Sequence, residues 1–159
     1  AANGLCAGHD PPGRAVVTRL LFVCLGNICR SPAAEGVMRA RAPDMVLDSA
    51  GTGNWHVGEP PYGPMREAAQ RRGVDLSGLH ARQISTADFG AFDLILAMDS
   101  QNLADIEALR PAGDATPVLR FAGEKDVPDP YYTRDFEGCL DLIEDSADAL
   151  IRRLDAMRR

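Results

Sequence analysis

The most constraining feature of this chain is a junction near its start. An apolar run, Leu20-Leu21-Phe22-Val23, ends in Cys24-Leu25-Gly26-Asn27-Ile28-Cys29-Arg30-Ser31-Pro32, and a helix-forming stretch, Ala33-Ala34-Glu35-Gly36-Val37-Met38, follows at once. The order is buried strand, tight loop, helix N-terminus. Backbone N–H groups of such a loop point inward and the helix start adds partial positive charge, so the segment can hold a tetrahedral oxyanion. Cys24 lies at the base of that cradle, and the field that binds an anion also stabilises a thiolate. Phosphoryl transfer through a cysteinyl-phosphate is the chemistry this combination serves.

Each residue type in the loop has a physical task. Gly26 can take positive φ and lets the backbone approach a ligand. Asn27 tolerates left-handed geometry, and its amide can tie the loop to its neighbours. Arg30 offers a planar fork that matches two oxygens of a phosphate. Ser31 can donate a hydrogen bond to the thiolate, and Ser31-Pro32 suits a helix start, with serine as cap and proline at the first helical position. Two cysteines after a buried strand could instead be core residues or a dithiol redox pair. Zinc ligation would need a second Cys/His cluster, which the sequence lacks.

The pattern beyond the loop predicts an α/β fold. Strands are expected over 19–24, 45–50, 92–98 and 116–121, with helices over 32–42 and 65–72 and from Asp99-Ser100 to Leu109. Strands alternating with helices imply a four-stranded parallel twisted sheet covered by helices on both faces, a three-layer α/β/α arrangement. Phe136, Leu140, Ile143, Ala147, Leu150, Leu154 and Met157 recur at helical spacing and predict a long C-terminal helix packed on the sheet. Cys139 lies beside that stripe, which suits core packing.

With 159 residues, 45% hydrophobic and 25% charged, the chain reads as one globular domain over 18–159. Residues 1–17 read as a flexible tail with no secretory signal, and Cys6 within it has no expected catalytic part. A net charge of −6 argues against nucleic acid as a partner and makes phosphate capture a local matter for the loop and Arg30. No apolar stretch is long enough to span a membrane. The four cysteines do not form a disulfide framework and fit a reducing cytoplasm.

Thiolate attack on a phosphate ester needs a general acid for the leaving oxygen. Asp129, in Val127-Pro128-Asp129-Pro130-Tyr131-Tyr132, is the candidate. In a parallel sheet its loop leaves the same carboxyl edge as the Cys24 loop. The flanking prolines stiffen it, and the tyrosines can stack on an aromatic leaving group. Taken alone, the segment is also compatible with a Pro-Asp-Pro surface turn.

From about Arg19 onward the chain resembles the low-molecular-weight protein tyrosine phosphatases. The likeness rests on the nine-residue loop, Asp48-Ser49-Ala50-Gly51-Thr52 with Trp55 and Gly58, Met98-Asp99 with Asn102, and Asp129-Pro130-Tyr131-Tyr132, all in the family's order. It implies hydrolysis of phosphotyrosine monoesters, with Cys24 as nucleophile, Arg30 as phosphate clamp and Asp129 as general acid, then base. Leu25, Gly26, Asn27, Ile28, Cys29 and Ser31 complete the phosphate-binding loop. Ser49 and Asp99 support it, and Trp55, Tyr131 and Tyr132 line the substrate cleft. The resemblance implies no metal or organic cofactor, a monomer, a phosphotyrosine protein as substrate, inorganic phosphate or other oxyanions in the site, and Cys29 as a reversible disulfide partner that guards Cys24 under peroxide.

Three positions depart from the family pattern. Leu79 stands where a histidine often supports the loop asparagine, with His80 one residue later. Tyr62-Gly63-Pro64 replaces an Asp-x-Arg triplet that braces the Trp55 loop. His56 falls at a variable rim position, where a solvent-exposed part is expected. An arsenate reductase on this fold would need relay cysteines near Met98, and none lies between Cys29 and Cys139. A protein-arginine phosphatase of the family would carry threonine in place of Ile28. A phosphoprotein-binding module would be expected to lack Cys24 or Asp129.

Overall fold

The computed structural model describes residues 17–157, and the tail expected over residues 1–17, with Cys6, lies outside them except for Val17, which packs against the core. Strand β1 spans Arg19–Cys24, β2 Val46–Gly51, β3 Leu94–Ala97 and β4 Val118–Arg120. The helices are α1 Arg30–Arg41, α2 Gly63–Arg71, α3 Asp88–Ala91, α4 Ser100–Leu109, α5 Pro130–Thr133 and α6 Phe136–Met157. All strand pairs are parallel, in the order β2-β1-β3-β4.

Alternation along β1 explains the layers. Leu20, Phe22 and Cys24 face a core shared with α1, α2 and α6, while Leu21 and Val23 face one built with Phe89 and Ile106. These β1 side chains are at most 3% exposed, and each such apolar burial contributes about 1.5–3 kcal/mol. The chain leaves β1 toward β2 on one side and later returns to β3 on the other. The carboxyl end of β1 is therefore a topological switch point, where an open parallel sheet leaves a crevice.

Several boundaries differ from those expected. Helix α1 begins at Arg30 because the Cys29 carbonyl accepts from Ala33 N at 3.2 Å, making Cys29 the N-cap. Ser31 is thus a residue of the first turn and does not cap, and Pro32 is the third helical residue. The one-turn helices α3 and α5 replace expected loop, since four residues leave no readable periodicity. Strand β4 is three residues rather than six. The α6 stripe is buried from Leu140 to Leu154, but Met157, the last residue of the helix, is 54% exposed. Asp99 caps α4 as expected, accepting from Asn102 N at 2.7 Å.

Candidate active site

Between β1 and α1 the loop wraps around Cys24. Asn27 N–H points at Cys24 Sγ at 3.2 Å, and Ser31 Oγ lies 3.0 Å from the same sulfur. The left-handed turn falls on Asn27, at φ 57°, and not on Gly26. Gly26 lies under the His56 ring, and a Cβ there would sit 3.1 Å from it, so the ring would have to shift by a few tenths of an ångström. Gly51 at the end of β2 is needed for space: a Cβ would sit 2.7 Å from the backbone oxygen of Leu25.

Asn27 is 3% exposed and held on three sides. Its Nδ2 donates to Ser31 Oγ at 2.7 Å and Ser49 Oγ at 3.0 Å, and its Oδ1 accepts from Arg82 N at 3.0 Å. Ser49 in turn donates to Glu35, a buried carboxylate on α1, at 2.7 Å. Support expected from a histidine therefore comes from a backbone amide. Leu79 packs on the core, and His80 is exposed. Glu35 and Arg82 were not singled out in the sequence. The only signal for Glu35 is a carboxylate inside an otherwise small and apolar helix start.

Arg30 is 2% exposed. Its Nη1 donates to Asp99 Oδ2 at 2.7 Å and Val127 O at 2.9 Å, and its Nη2 to Asp129 Oδ2 at 3.4 Å. Its Nε is buried without a partner among the described residues. Burial works against the guanidinium charge, but Cys24, Asp99 and Asp129 outweigh it, and the pKa rises above the ordinary arginine value. The arginine is therefore a fixed cation with a donor to spare.

Asp129 caps α5, accepting from Tyr131 N at 3.1 Å with Oδ1. A cavity of about 260 Å³ joins the two halves of the site. Cys24, Leu25, Gly26, Ile28 and Cys29 form its floor, and Trp55, His56, Asp129, Tyr131 and Tyr132 its walls. Every residue expected in the cleft is there. His56 departs from expectation: it lines the cavity, half-buried, with Nδ1 3.1 Å from Glu59 Oε1. The Trp55 loop, lacking its expected triplet, is pinned by backbone pairs between Gly58 and Ala81 and between Ala81 and Glu59, each 2.8 Å.

Burial, reinforced by the charges of Cys24 and Asp129, pushes the Cys29 thiol far above the ordinary cysteine range. Burial also pushes Cys139, in the same core, up to about 12 against the opposing pull of Arg30. Neither is an anion at neutral pH. No group of three or more metal-ligating side chains occurs among the described residues.

A cysteine at a sheet switch point, beside a buried arginine that an aspartate from the facing loop also holds, marks a site suited to phosphomonoester chemistry on an α/β fold. Residues 19–159 match the model of the low molecular weight phosphotyrosine protein phosphatase family, and the chain belongs to that family. YfkJ of Bacillus subtilis, a low molecular weight protein-tyrosine-phosphatase, is 40% identical over 144 residues, covering 83% of this chain and 92% of its own. PtpA of Staphylococcus aureus, of the same description, is 41% identical over 139 residues, covering 82% and 89%. The crystal structure of YfkJ matches with a TM-score of 0.84 at 37% identity, covering 92% of this chain and all of that one. Vibrio vulnificus Wzb in complex with benzylphosphonate matches with a TM-score of 0.80 at 28% identity, covering 86% and 99%. The chain is thus a protein tyrosine phosphatase of the low-molecular-weight class, a phosphoric monoester hydrolase with a four-stranded parallel sheet.

Proposed function

We propose that this enzyme hydrolyses phosphotyrosine in proteins by two in-line displacements at phosphorus. In the first, Cys24 Sγ attacks, the bond to the tyrosyl oxygen breaks, and Asp129 delivers a proton to the departing phenolate. In the second, the Asp129 carboxylate takes a proton from water, the water oxygen attacks phosphorus, and the phosphorus–sulfur bond breaks. Inorganic phosphate leaves and the thiolate is restored.

The carrying observation is the state of Arg30. Asp99 and Val127 fix one edge of the guanidinium, and the buried Nε has no partner within the described protein. A phosphate in the loop supplies that partner. It also takes over Nη2, which Asp129 holds at 3.4 Å, and so frees the carboxyl for the leaving oxygen. The benzylphosphonate on Wzb is an oxyanion with an aryl group attached, which fits the same division of labour here.

Ile28, Trp55, Tyr131 and Tyr132 favour an aryl ester over a phosphorylated serine or arginine. A cytoplasmic place of action is consistent with the free cysteines at 24, 29 and 139. Among the described residues no helix is long and apolar enough to cross a membrane.

The test is a phosphopeptide panel carrying phosphotyrosine, phosphoserine or phosphoarginine. Turnover is expected on phosphotyrosine alone and should vanish in Cys24→Ser, which should still bind inorganic phosphate. Turnover by Cys24→Ser sinks the covalent mechanism, and preference for phosphoarginine sinks the substrate assignment. Asp129→Asn should lose ~10²–10⁴-fold on phenyl phosphate, the range of general acid catalysis, and far less on an activated nitrophenyl ester.

A further inference from the structure

Tyr62 does not line the catalytic cavity. It nevertheless touches both halves of the site. Its backbone N–H donates to the carbonyl of Ile28, in the phosphate loop, at 2.8 Å. Its ring lies 5.2 Å from that of Tyr131 and 6.1 Å from that of Phe136. Its phenolic oxygen accepts from Arg134 Nη1 at 3.0 Å, and the Arg134 guanidinium sits 5.3 Å over the Tyr62 ring and 5.2 Å over the Phe136 ring.

Arg134 closes the other side of the contact. It ends α5 in the left-handed conformation, φ 63°, unusual for a residue with a side chain. Its N–H donates to Pro130 O at 2.9 Å, and its guanidinium reaches back to Tyr131 O at 3.4 Å. Asp129 is the residue that caps this same turn. The turn carrying the carboxyl is therefore gripped at its start by Arg30 and Tyr131 N–H, and at its end by Arg134 and the Tyr62 ring.

We infer that Tyr62, acting through Arg134 and Tyr131, is a positioning residue that sets the distance between the Asp129 carboxyl and the phosphate loop. The inference rests on Asp129 serving as the general acid. A cation between two aromatic faces and a hydrogen bond to one of them form a directional strut, stiffer than apolar packing alone. Holding the acid in place matters most when the leaving oxygen needs its proton. Losing the strut should therefore cost rate in proportion to the basicity of the leaving group.

The experiment measures kcat/KM on phenyl phosphate and on an activated nitrophenyl ester for Tyr62→Ala, Tyr62→Phe and Arg134→Ala, with thermal melting and vanadate affinity alongside. Tyr62→Ala and Arg134→Ala should lose about tenfold more on phenyl phosphate than on the activated ester, as a displaced catalytic group does, with vanadate affinity retained. Tyr62→Phe, which keeps the ring, should recover part of that loss. If Tyr62→Ala does not fold, Tyr62→Phe, which keeps the packed ring, and Arg134→Ala, which removes an exposed side chain, carry the same comparison. Equal losses on both esters, or none, overturn the inference.

Asp129→Asn separates this inference from the reading beneath it. If Asp129→Asn shows no dependence on the leaving group, the general-acid assignment falls and takes the strut with it. If Asp129→Asn shows the dependence while the strut variants do not, only the strut falls. In the double variant Asp129→Asn with Tyr62→Ala, the tyrosine change should cost nothing further on phenyl phosphate, since its effect passes through a group already removed.

Discussion

Arg30 and Asp99 form an ion pair at 2.7 Å in which the arginine is almost fully buried and the aspartate also holds the start of α4. One Asp99 oxygen takes the guanidinium and the other takes Asn102 N–H, so the clamp and the helix are placed by a single carboxylate. Removing it leaves a buried charge with only the longer Asp129 contact, at 3.4 Å. Asp99→Ala should destabilise the fold by roughly 3 kcal/mol, the scale of a broken buried pair with a lost helix cap. Asp99→Asn keeps a single acceptor, enough for the guanidinium or the Asn102 N–H but not for both, and should cost roughly 2 kcal/mol, less than the alanine. Urea unfolding checks both. Vanadate affinity should fall in the order wild type, Asn, Ala, and an unchanged affinity in Asp99→Ala would show that Arg30 holds its position without this anchor.

Ser49 passes the loop's load into the core. It accepts from Asn27 and donates to buried Glu35, so Ser49→Ala removes both contacts and strands a carboxylate oxygen. An unsatisfied buried acceptor costs about 1–3 kcal/mol, and that loss should appear in urea denaturation. Asn27 then keeps its φ of 57° with one brace fewer, and kcat/KM should fall about tenfold through looser loop geometry. Ser49→Thr retains the hydroxyl and should restore most of both. A Ser49→Ala enzyme of full activity would mean that the Arg82 amide and Ser31 suffice to shape the loop.

Much of this architecture is legible in the sequence because it rests on local rules. The β1 run, the loop and the helix after it follow from apolar alternation and a glycine-asparagine turn, and the Asp99 cap follows from residue type and position. What stayed hidden depends on distant pairing. Nothing in the neighbourhood of Arg82 announces that its backbone amide will brace Asn27, or that its side chain will bridge Asp48 and Asp88. Ser31 misled for a related reason. Its place before proline suits a cap, yet its hydroxyl faces the Cys24 sulfur, and Cys29 is the N-cap of a helix that begins at Arg30. His56 looked peripheral because only the fold brings its ring over Gly26.

The proposed guard function of Cys29 makes a chemical prediction. Peroxide converts the Cys24 thiolate to a sulfenic acid, and the Cys29 sulfur then displaces water from it to form a disulfide. Burial holds Cys29 as a thiol far above the ordinary range, so it must shed its proton in that step and is not itself the first target of peroxide. Treated wild-type enzyme should regain activity with dithiothreitol, whereas Cys29→Ser should go on to irreversible sulfinic acid. Cys139→Ser is the control, because Cys139 shares the same buried core. Recovery lost in Cys139→Ser but kept in Cys29→Ser would move the guard to α6, and peptide mapping by mass spectrometry identifies the linked pair directly.

Asp93 predicts how stability depends on pH. Its Oδ2 accepts from Thr18 N and Arg19 N, each at 3.0 Å, and its Oδ1 from Arg19 Nη2 at 2.8 Å, so it anchors the first residues of β1. Partial burial raises its pKa, but the hydrogen bonds and charge of Arg19, together with the two backbone amides, prevail and hold it below the usual aspartate value. A carboxyl whose pKa is lower folded than unfolded binds protons more readily in the unfolded chain. Its stabilisation is therefore full above the ordinary aspartate pKa of about 4 and is lost as pH falls through the lower, folded value. Asp93→Asn should be less stable than wild type by roughly 1 kcal/mol at pH 7, allowing for the half-exposed Arg19. The gap should close as unfolding is followed from about pH 5 down to pH 2. A difference that stays constant across that range would mean the asparagine acts through packing and not through lost charge.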